Sequence, residues 1–416
     1  GGTDIEFALQ LDAQDELAGF RDEFVISNAN SFADIKEDLV YLDGNSLGRL
    51  PKRTLEVVQH MVEHEWGERL IRGWNDGWVR TPVALGEKIA RLVGARPDEI
   101  LVTDGTSLNL FKLVVAALRA QAAPEKQAGR DKVVSDVFNF PSDLYILQGV
   151  IDLLGKQHRL ELIPSADGVT ISPRDVEESL DERTSLACLT HVAFKSAYMY
   201  DMRRVTELAH QAGALMLWDL SHSVGAVPLD LNGCNVDLAV GCTYKYLNGG
   251  PGAPAFLYVR RDLQAQLLQP IWGWFADARP FAFDLAFEPA ADIPRFRVGT
   301  APMLSMKAVE PAVDLLLEAG MERLRAKSVQ QTEYLIYLAE QWLLPLGFSL
   351  GSPRDSRQRG SHVSLRHPEG YRISRVLVES PPPALRVIPD FREPDIIRLG
   401  VAPIYTRFSE IQRAMA

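Results

Sequence analysis

Short apolar runs alternate with amphipathic helical stretches through the central part of the chain, from about residue 100 to 245. Runs of this kind, bounded by polar turns, are typical of buried strands, and three of them are Ile100–Val102, Leu186–Leu189 and Ala214–Trp218. Between them the apolar residues recur at helical spacing, as in 108–120. A repeated strand–helix–strand order predicts a mostly parallel sheet with crossover helices. The chain is therefore expected to be an α/β protein.

Two of the predicted strands end close to residues with useful chemistry. The run Ala214–Trp218 leads directly into Asp219, and the run Leu238–Cys242 is followed closely by Lys245. Because ligands bind at the carboxyl ends of strands in open α/β sheets, we expect this acid and this lysine to face one site. A glycine-rich turn follows the lysine, and the next run, 255–259, returns too soon for a crossover. That run predicts an antiparallel strand.

Asp219 and Lys245 lie 26 residues apart (219 to 245) and match the two protein groups that pyridoxal 5'-phosphate requires. This cofactor needs a lysine amine for a Schiff base and an acid that keeps its ring nitrogen protonated. At an effective dielectric constant near 20, a carboxylate about 4 Å from the ring cation is worth roughly 4 kcal/mol. Taken singly, the aspartate is better explained as a helix cap and the lysine as a surface residue in a turn. The combination favours the cofactor.

Candidates for the rest of the cofactor site lie upstream. Gly105 and Thr106 form a turn before a predicted helix, whose free N–H groups suit a phosphate, although an ordinary helix cap is the plain alternative. Phe140 can stack on a pyridine ring, and Ser142 or Asp143 can hydrogen-bond to its polar edge. The alternative there is a buried phenylalanine followed by a capped helix. Three further cofactor-binding candidates come from the same segments and strand ends: Pro141, Thr190 and His222.

Long helical stretches at 306–324 and 332–344 predict the start of a second domain near residue 301. The N-terminal residues are polar and mixed, and we expect them to form an arm that is helical in part. The expected organisation is an N-terminal arm (1–50), a large domain (51–300) and a small C-terminal domain (301–416).

Arg398 lies within a predicted strand of the small domain, 396–403. An arginine in a buried strand is costly unless it is paired, and its planar fork matches a carboxylate. One interpretation is a clamp for the carboxylate of a substrate. The other is a salt bridge inside the small domain.

Composition excludes several classes of protein. The 416 residues are 46% hydrophobic and 24% charged, with a net charge of −11, which is typical of a globular protein and unsuited to nucleic acid or an anionic membrane. Three cysteines and eight scattered histidines give neither a disulfide framework nor a metal-ligand spacing, so no metal is expected. No apolar run approaches a membrane span and no secretion signal is evident, so a cytoplasmic location is expected.

Three motifs resemble those of kynureninase, a pyridoxal-phosphate enzyme of fold type I. They are YLDGNSLG at 41–48, WDLSHSVGAVPLDL at 218–231 and GCTYKYLNGGPG at 241–252. In the related cysteine desulfurases a histidine usually precedes the lysine, where this chain has Tyr244. The similarity runs from about Tyr41 to Phe408 and is to the bacterial type. It implies a large, mostly parallel, seven-stranded-type sheet domain with a smaller C-terminal α/β domain.

The resemblance implies hydrolytic Cβ–Cγ cleavage of L-kynurenine to anthranilate and L-alanine, in tryptophan catabolism and NAD biosynthesis. It implies that Lys245 holds the cofactor and acts as base at Cα, that Asp219 keeps the ring nitrogen protonated, and that Tyr244 is an acid or base in later steps. Neighbours on a strand point to opposite faces, so Tyr244 and Lys245 can both serve only if the chain has left the strand.

The resemblance also assigns residues outside the lysine motif. It places Ser46, Trp74 and Arg398 at the substrate. It places Trp274 and Thr300 at the cofactor phosphate of a neighbouring subunit, so a homodimer with shared active sites is expected. The bacterial type favours kynurenine over its 3-hydroxy derivative, and we expect the same preference here.

Two other functions remain open at this point. A cysteine desulfurase or a class V aminotransferase shares the expected fold, but a desulfurase needs a nucleophilic cysteine late in the chain, and none lies beyond Cys242. A cofactor-binding regulator without turnover would belong to a different class. No DNA-binding module is recognisable in the sequence, and the negative net charge does not suit DNA.

Overall fold

The computed structural model of the chain describes residues 2–26, 38–122, 129–381 and 384–416. The polar stretch 122–132 and the three prolines at 381–383 predict loops, and of these stretches residues 123–128 and 382–383 lie outside the described residues. Within the described ranges, none of the helices combines the length and the hydropathy needed to cross a bilayer.

The N-terminal segment packs on the C-terminal end of the chain. Its elements are helix α1 (Ile5–Ala13), a 3₁₀ helix (Ala18–Glu23) and strand β1 (Leu39–Tyr41). Asp12 of α1 accepts a hydrogen bond of 2.6 Å from the amide of Phe408, the first residue of the last helix. Strand β1 pairs in parallel with residues 386–388. The predicted arm is thus fixed to the C-terminal region by hydrogen bonds.

A seven-stranded sheet lies at the centre of the molecule, in the order β2-β8-β7-β6-β5-β3-β4. Its strands are β2 (Ile100–Val102), β3 (Lys132–Asp136), β4 (Arg159–Ile163), β5 (Thr184–Thr190), β6 (Leu215–Asp219), β7 (Leu238–Gly241) and β8 (Phe256–Val259). Strand β8 runs antiparallel to both of its neighbours, and the other pairs are parallel. The predicted parallel sheet and its antiparallel return strand are both confirmed.

Helices pack on both faces of this sheet. The helices of this part of the chain are α2 (Lys52–His60, continued by a π-helical segment, Met61–Glu68, and a 3₁₀ helix, Leu70–Trp74), α3 (Thr81–Val93), α4 (Thr106–Gln121), α5 (Pro141–Leu153), α6 (Pro173–Ser179), α7 (Met202–Gln211) and α8 (Arg261–Gln264). Of these, α3 to α7 contact strands of the sheet. Side chains of each strand alternate between two cores: Met216 and Trp218 of β6 pack in one, and Leu217 packs in the other. Burial on both faces explains why the strands read as continuous apolar runs.

Two long helices follow the large sheet. They are α9 (Met303–Ala319) and α10 (Met321–Trp342). The two helices are separated at Gly320, whose φ is 81°. The sequence pattern predicts the separation later, between the stretches 306–324 and 332–344. The predicted gap is helical because its polar residues are paired: Lys327 contacts Asp15 of the N-terminal segment at 2.7 Å. The expected helix boundaries were therefore wrong.

A smaller antiparallel sheet, in the order β12-β13-β10-β9, completes the chain. The C-terminal elements are β9 (Ser349–Leu350), β10 (His362–Arg366), α11 (Gly370–Glu379), β11 (Arg386–Ile388), β12 (Asp390–Arg392), β13 (Ile396–Gly400) and α12 (Phe408–Met415). Helix α9 packs against α2 and α3. The domain boundary near residue 301 stays a prediction.

Candidate active site

The ends of parallel strands and the starts of two helices meet at a pocket on one edge of the large sheet. Its lining residues are Thr106, Ser107, Phe140, Ser142, Asp143, Asp219, Ser221, His222, Tyr244 and Lys245. Eight of these were candidates from the sequence. Ser107 and Ser221 were missed as site residues, although each is a hydroxyl residue one or two positions from a candidate. The predicted Gly105 and Pro141 lie beside lining residues, as the cap of α4 and the first residue of α5.

Asp219 is fixed at the end of β6, where it is 4% exposed. Its Oδ1 accepts hydrogen bonds from the amide of Ser221 at 2.8 Å and from the Ser221 hydroxyl at 2.6 Å. Asp143 is buried beside it, and burial, followed by the negative charge of Asp219, raises the pKa of Asp143 well above its usual range. The shift favours the neutral form of Asp143 beside Asp219, which lessens the repulsion between the two carboxyl groups.

Lys245 and Tyr244 both line the pocket, because β7 ends at Gly241 and the chain has left the strand before it reaches them. The Lys245 Nζ atom lies 5.9 Å from the centre of the Phe140 ring and 5.8 Å from that of Tyr244. Burial raises the pKa of Tyr244 above its usual value. Its hydroxyl therefore keeps its proton at neutral pH and can act as an acid.

The turn after β1 supports the lysine segment from outside. The amide of Gly48 donates a hydrogen bond of 2.8 Å to the carbonyl of Tyr244. A Cβ atom at Gly48 would lie 2.4 Å from the carbonyl oxygen of Lys245, so the close approach requires glycine there. This contact gives the YLDGNSLG segment a structural role beside the pocket that its local spacing did not indicate.

The two helix N-termini form the side of the pocket that suits an anion. Thr106 is the first residue of α4, and Ser142 is the second residue of α5. The hydroxyl groups of Ser107 and Ser142 lie 2.8 Å apart, so the two helix starts converge. Free N–H groups and the positive ends of two helix dipoles at one place favour a phosphate.

His222 and Thr190 differ in their position relative to the pocket: only His222 is part of its lining. His222 lines the pocket, and its buried Nε2 has no hydrogen-bond partner among the described residues. Burial, followed by the positive charges of Lys245 and Arg398, lowers the pKa of His222 well below its usual value. The imidazole is therefore neutral. Thr190 ends β5 and donates a hydrogen bond of 3.3 Å to the carbonyl of Val192, outside the lining set.

Ser46 and Arg398 are brought together, as the sequence led us to expect. Arg398 is 1% exposed on β13, and its Nη2 donates a hydrogen bond of 2.9 Å to the Ser46 hydroxyl. Its Nη1 donates one of 2.6 Å to the carbonyl of Phe194. The ring of Phe194 meets that of Phe140 edge to face, with 5.2 Å between the ring centres. The two residues thus lie behind the pocket wall and not in its lining.

Trp74, Trp274 and Thr300 lie away from the Lys245 pocket. The ring centre of Trp74 is 5.9 Å from that of Phe275, and Trp274 is 3.9 Å from the same ring. Thr300 is exposed at the end of the same loop region. We call the following residues the aromatic cluster: Trp74, Trp78, Trp274, Phe275, Phe281 and Phe283.

The pocket fits pyridoxal 5'-phosphate. The convergent helix starts suit its phosphate, the face of Phe140 suits its ring, and Asp219 and Lys245 suit its ring nitrogen and its aldehyde. In the part of the chain that the structure describes, the buried Oδ2 of Asp143 and Nε2 of His222 lack partners, as expected where a bound group completes the hydrogen bonds. Among the described residues, His, Cys, Asp and Glu nowhere gather in a group of three suited to a metal ion.

Comparisons with known proteins agree with this geometry. The family model of class V aminotransferases matches residues 40–369, and that of the kynureninase C-terminal domain matches residues 324–416. Among solved structures, the apo cysteine desulfurase of Thermococcus onnurineus NA1 has a TM-score of 0.77 at 16% identity, covering 90% of this chain and 92% of that one. A C-DES variant with glycine covalently linked to its PLP cofactor has a TM-score of 0.76 at 18% identity, covering 90% and 96%. The fold is that of the class V, fold-type-I proteins.

Relatives in sequence narrow the class further. The chain is 45% identical to the kynureninase of Burkholderia mallei (strain SAVP1) over 413 residues, covering 99% of this chain and 93% of that one. It is 43% identical to the kynureninase of Pseudomonas fluorescens over 410 residues, covering 98% and 92%. The chain therefore belongs to the kynureninase family.

Proposed function

We propose that this chain hydrolyses L-kynurenine at its Cβ–Cγ bond, giving anthranilate and L-alanine, with pyridoxal 5'-phosphate as its cofactor. The observation that carries the proposal is the meeting of Asp219 and Lys245 in one pocket of a kynureninase-family chain. When bound, the cofactor supplies an electron sink for negative charge that develops at Cα. The site residues described above supply the rest of the chemistry.

Lys245 and Tyr244 divide the proton transfers between them. The Lys245 amine removes the Cα proton, because it is the amine that faces the pocket. Water adds to the side-chain ketone, and the Cβ–Cγ bond then breaks. The oxygen of the water ends in the carboxylate of anthranilate, and Cβ needs a proton to give L-alanine. Tyr244, whose phenol stays protonated, donates that proton.

Arg398 and Ser46 bind the α-carboxylate of the substrate in this proposal. The guanidinium fork of Arg398 can grip both oxygens of a carboxylate, and the Ser46 hydroxyl lies 2.9 Å from its Nη2. Both groups adjoin the pocket wall, because Arg398 bonds to the carbonyl of Phe194, whose ring contacts Phe140. The charge of Arg398 also acts on His222 in the pocket lining, so we place the amino-acid end of a ligand bound at Lys245 on this side. This arrangement selects an α-amino acid.

The aromatic cluster supports a homodimer with shared active sites. Trp274 and Phe283 are 40% and 72% exposed in the single chain, and Leu285, two residues beyond Phe283, is fully exposed. An exposed apolar patch of this kind marks an interaction surface. We assign it to a second copy of the chain, so that Trp274 and Thr300 reach the partner's cofactor phosphate and Trp74 contacts the substrate ring in the partner's pocket.

The desulfurase alternative finds little support among the cysteines. Cys188 and Cys242 are buried. Cys234 is half-buried and precedes β7, whereas the turn with Lys245 follows that strand. Burial raises the pKa of the Cys188 and Cys242 thiols, which disfavours the thiolate that attacks sulfur. A hydrolase of the kynurenine pathway in the cytoplasm, contributing to tryptophan catabolism and NAD biosynthesis, is the role we assign.

The function is tested by incubating the chain, loaded with pyridoxal 5'-phosphate, with L-kynurenine and following the fluorescence of anthranilate. Equal amounts of anthranilate and L-alanine are expected. A parallel incubation with L-cysteine, followed for sulfide, tests the desulfurase alternative, since both reactions release alanine. Sulfide without anthranilate would overturn the proposal.

A further inference from the structure

Arg398 already holds a carboxylate that belongs to this chain. Strands β12 and β13 pair so that Asp390 lies directly opposite Arg398, and residues directly opposite on neighbouring strands present their side chains to the same face. The Arg398 Nη2 contacts Asp390 Oδ2. The same oxygen lies 2.9 Å from the Nη2 atom of Arg392, which is two residues along β12. Asp390 therefore lies between two guanidinium groups.

The hydrogen-bond donors of Arg398 leave no free two-point grip for a ligand. The two N–H bonds of its Nη2 serve the Ser46 hydroxyl and Asp390. Of the remaining donors, Nη1 bonds to the Phe194 carbonyl, and Nε is buried and finds no partner within the described ranges. A guanidinium grips both oxygens of a carboxylate through Nη2 together with either Nη1 or Nε. A substrate carboxylate must therefore displace Ser46 or Asp390 from Nη2.

Charge decides which of the two leaves. Ser46 is neutral and its hydroxyl can turn to donate to an incoming carboxylate, whereas Asp390 would repel one. A further acid, Asp43, lies close enough to Asp390, Arg392 and Arg398 to interact with their charges. Its pKa is raised to about 6, chiefly by burial and then by the charge of Asp390. Three carboxylates against Arg392 and Arg398 would be an unbalanced cluster. Asp390 has an alternative partner in Arg392, which is 38% exposed at its side chain and can follow it outward.

We propose that Asp390 is a resident carboxylate that occupies Arg398 in the free enzyme and is exchanged onto Arg392 when the α-carboxylate of a substrate binds. The inference rests on the proposed role of Arg398 at the substrate. It makes Asp390 a specificity-determining residue. A ligand that carries a carboxylate replaces the ion pair that it breaks, whereas a ligand without one leaves the Asp390–Arg398 pair in place and gains nothing from Arg398.

Equilibrium binding to the holoenzyme tests the exchange without turnover. The probe is 4-(2-aminophenyl)-4-oxobutanoate, which keeps the carboxylate and ring of kynurenine but lacks the amine, and binding is measured by titration calorimetry. Asp390→Asn removes the competing charge and should lower the Kd of this probe on the order of tenfold. The reason is that Arg398 no longer has to lose a carboxylate partner before the probe binds. The matching ketone without a carboxylate, 2-aminopropiophenone, should bind both proteins equally.

Two further variants keep the test decisive. Asp395→Asn is the matched control, because Asp395 lies in the same hairpin but pairs with Arg366 at 3.1 Å, and it should leave the Kd unchanged. Arg392→Gln removes the alternative partner and should weaken binding of the carboxylate probe severalfold. A Kd that rises or stays constant in Asp390→Asn would overturn the inference and make Asp390 a positioning residue for Arg398. Carboxylate-independent binding in all variants would overturn it as well.

The outcome is separable from that of the proposed function. If the wild-type chain releases no anthranilate but Asp390→Asn still binds the carboxylate probe more tightly, the reaction assignment fails and the exchange stands. If anthranilate is released and the probe binds no more tightly, the exchange alone fails.

Discussion

The residues that line the Lys245 pocket are held at the ends of the large sheet, whereas half of the aromatic cluster is exposed, namely Trp274, Phe281 and Phe283. The pocket residues are held by strand ends, helix starts and short hydrogen bonds such as those between Ser221 and Asp219. The exposed members of the cluster, Trp274, Phe281 and Phe283, lie between residues 274 and 283 and contact one another. A parallel sheet brings distant residues to one edge within a single chain, whereas the exposed cluster completes a site on a second copy in the homodimer that we propose. The active site of that homodimer would be divided between its two subunits.

The largest expected effect concerns the pocket. Lys245→Ala should lower kcat/KM on the order of 10⁴-fold or more, because one group both holds the cofactor and moves the Cα proton. Loss of the visible absorption of the bound cofactor in dialysed protein is the second measurement. Lys156→Ala is the control, since that side chain is 78% exposed and far from the pocket in its ion pair with Asp152. Normal turnover by Lys245→Ala would refute the assignment of the lysine.

Tyr244→Phe tests the acid within the same pocket. We expect kcat to fall about 10²–10⁴-fold, the usual contribution of one general acid or base, while the cofactor stays bound and its absorption is retained. Tyr246→Phe is the matched control, since Tyr246 is buried two residues away and outside the pocket lining. Steady-state rates and rapid-mixing spectra measure both. Equal effects of the two substitutions would show that Tyr244 has only a structural role.

Hybrid dimers test the division between subunits. Trp274→Ala combined with Thr300→Ala should lower activity on the order of 10²-fold, because the partner's phosphate loses both contacts. The doubly substituted chain is co-expressed with a Lys245→Ala chain, and the hybrid dimer is purified through two different tags. If the sites are shared, this hybrid has one intact site. Such hybrids should regain about half of the wild-type activity, since a symmetric dimer has two equivalent sites.

The reciprocal hybrid is the control for that experiment. A chain carrying all three substitutions, paired with a wild-type chain, has no intact site if the sites are shared. It should therefore be nearly inactive. If each site belonged to one chain, this hybrid would be half active and the first hybrid would be nearly inactive. That result would refute the division of the active site between two subunits.

The smallest effect concerns the choice of substrate. Trp74→His places a polar ring in the aromatic cluster, and we expect the ratio of kcat/KM for 3-hydroxykynurenine over kynurenine to rise about tenfold. The wild type should favour kynurenine, by less than about 10²-fold, because an apolar pocket discriminates weakly against an added hydroxyl. Trp272→His is the control, since that tryptophan stacks on Phe287 with 5.1 Å between the ring centres, outside the cluster. An equal change in both variants would show that Trp74 does not set the preference.

The bounds of the two long helices that follow the large sheet were predicted less well than the strands of the sheet. The helices expected at 306–324 and 332–344 meet at Gly320, because buried ion pairs such as Lys327 with Asp15 carry α10 through the polar stretch. Asp15 is more than 300 residues away in sequence. A local pattern of polar residues cannot show that a distant partner will neutralise them.

What the sequence determined by itself was the large sheet and the acid and lysine at its edge. Continuous apolar runs specify buried strands, and the ends of those strands specify where Asp219 and Lys245 lie. Only the tertiary structure decided that Asp390 faces Arg398 and that Trp74 joins Phe275 instead of Lys245. Strand register and loop packing depend on contacts between residues far apart in the chain, and these contacts leave no periodic signal in the sequence.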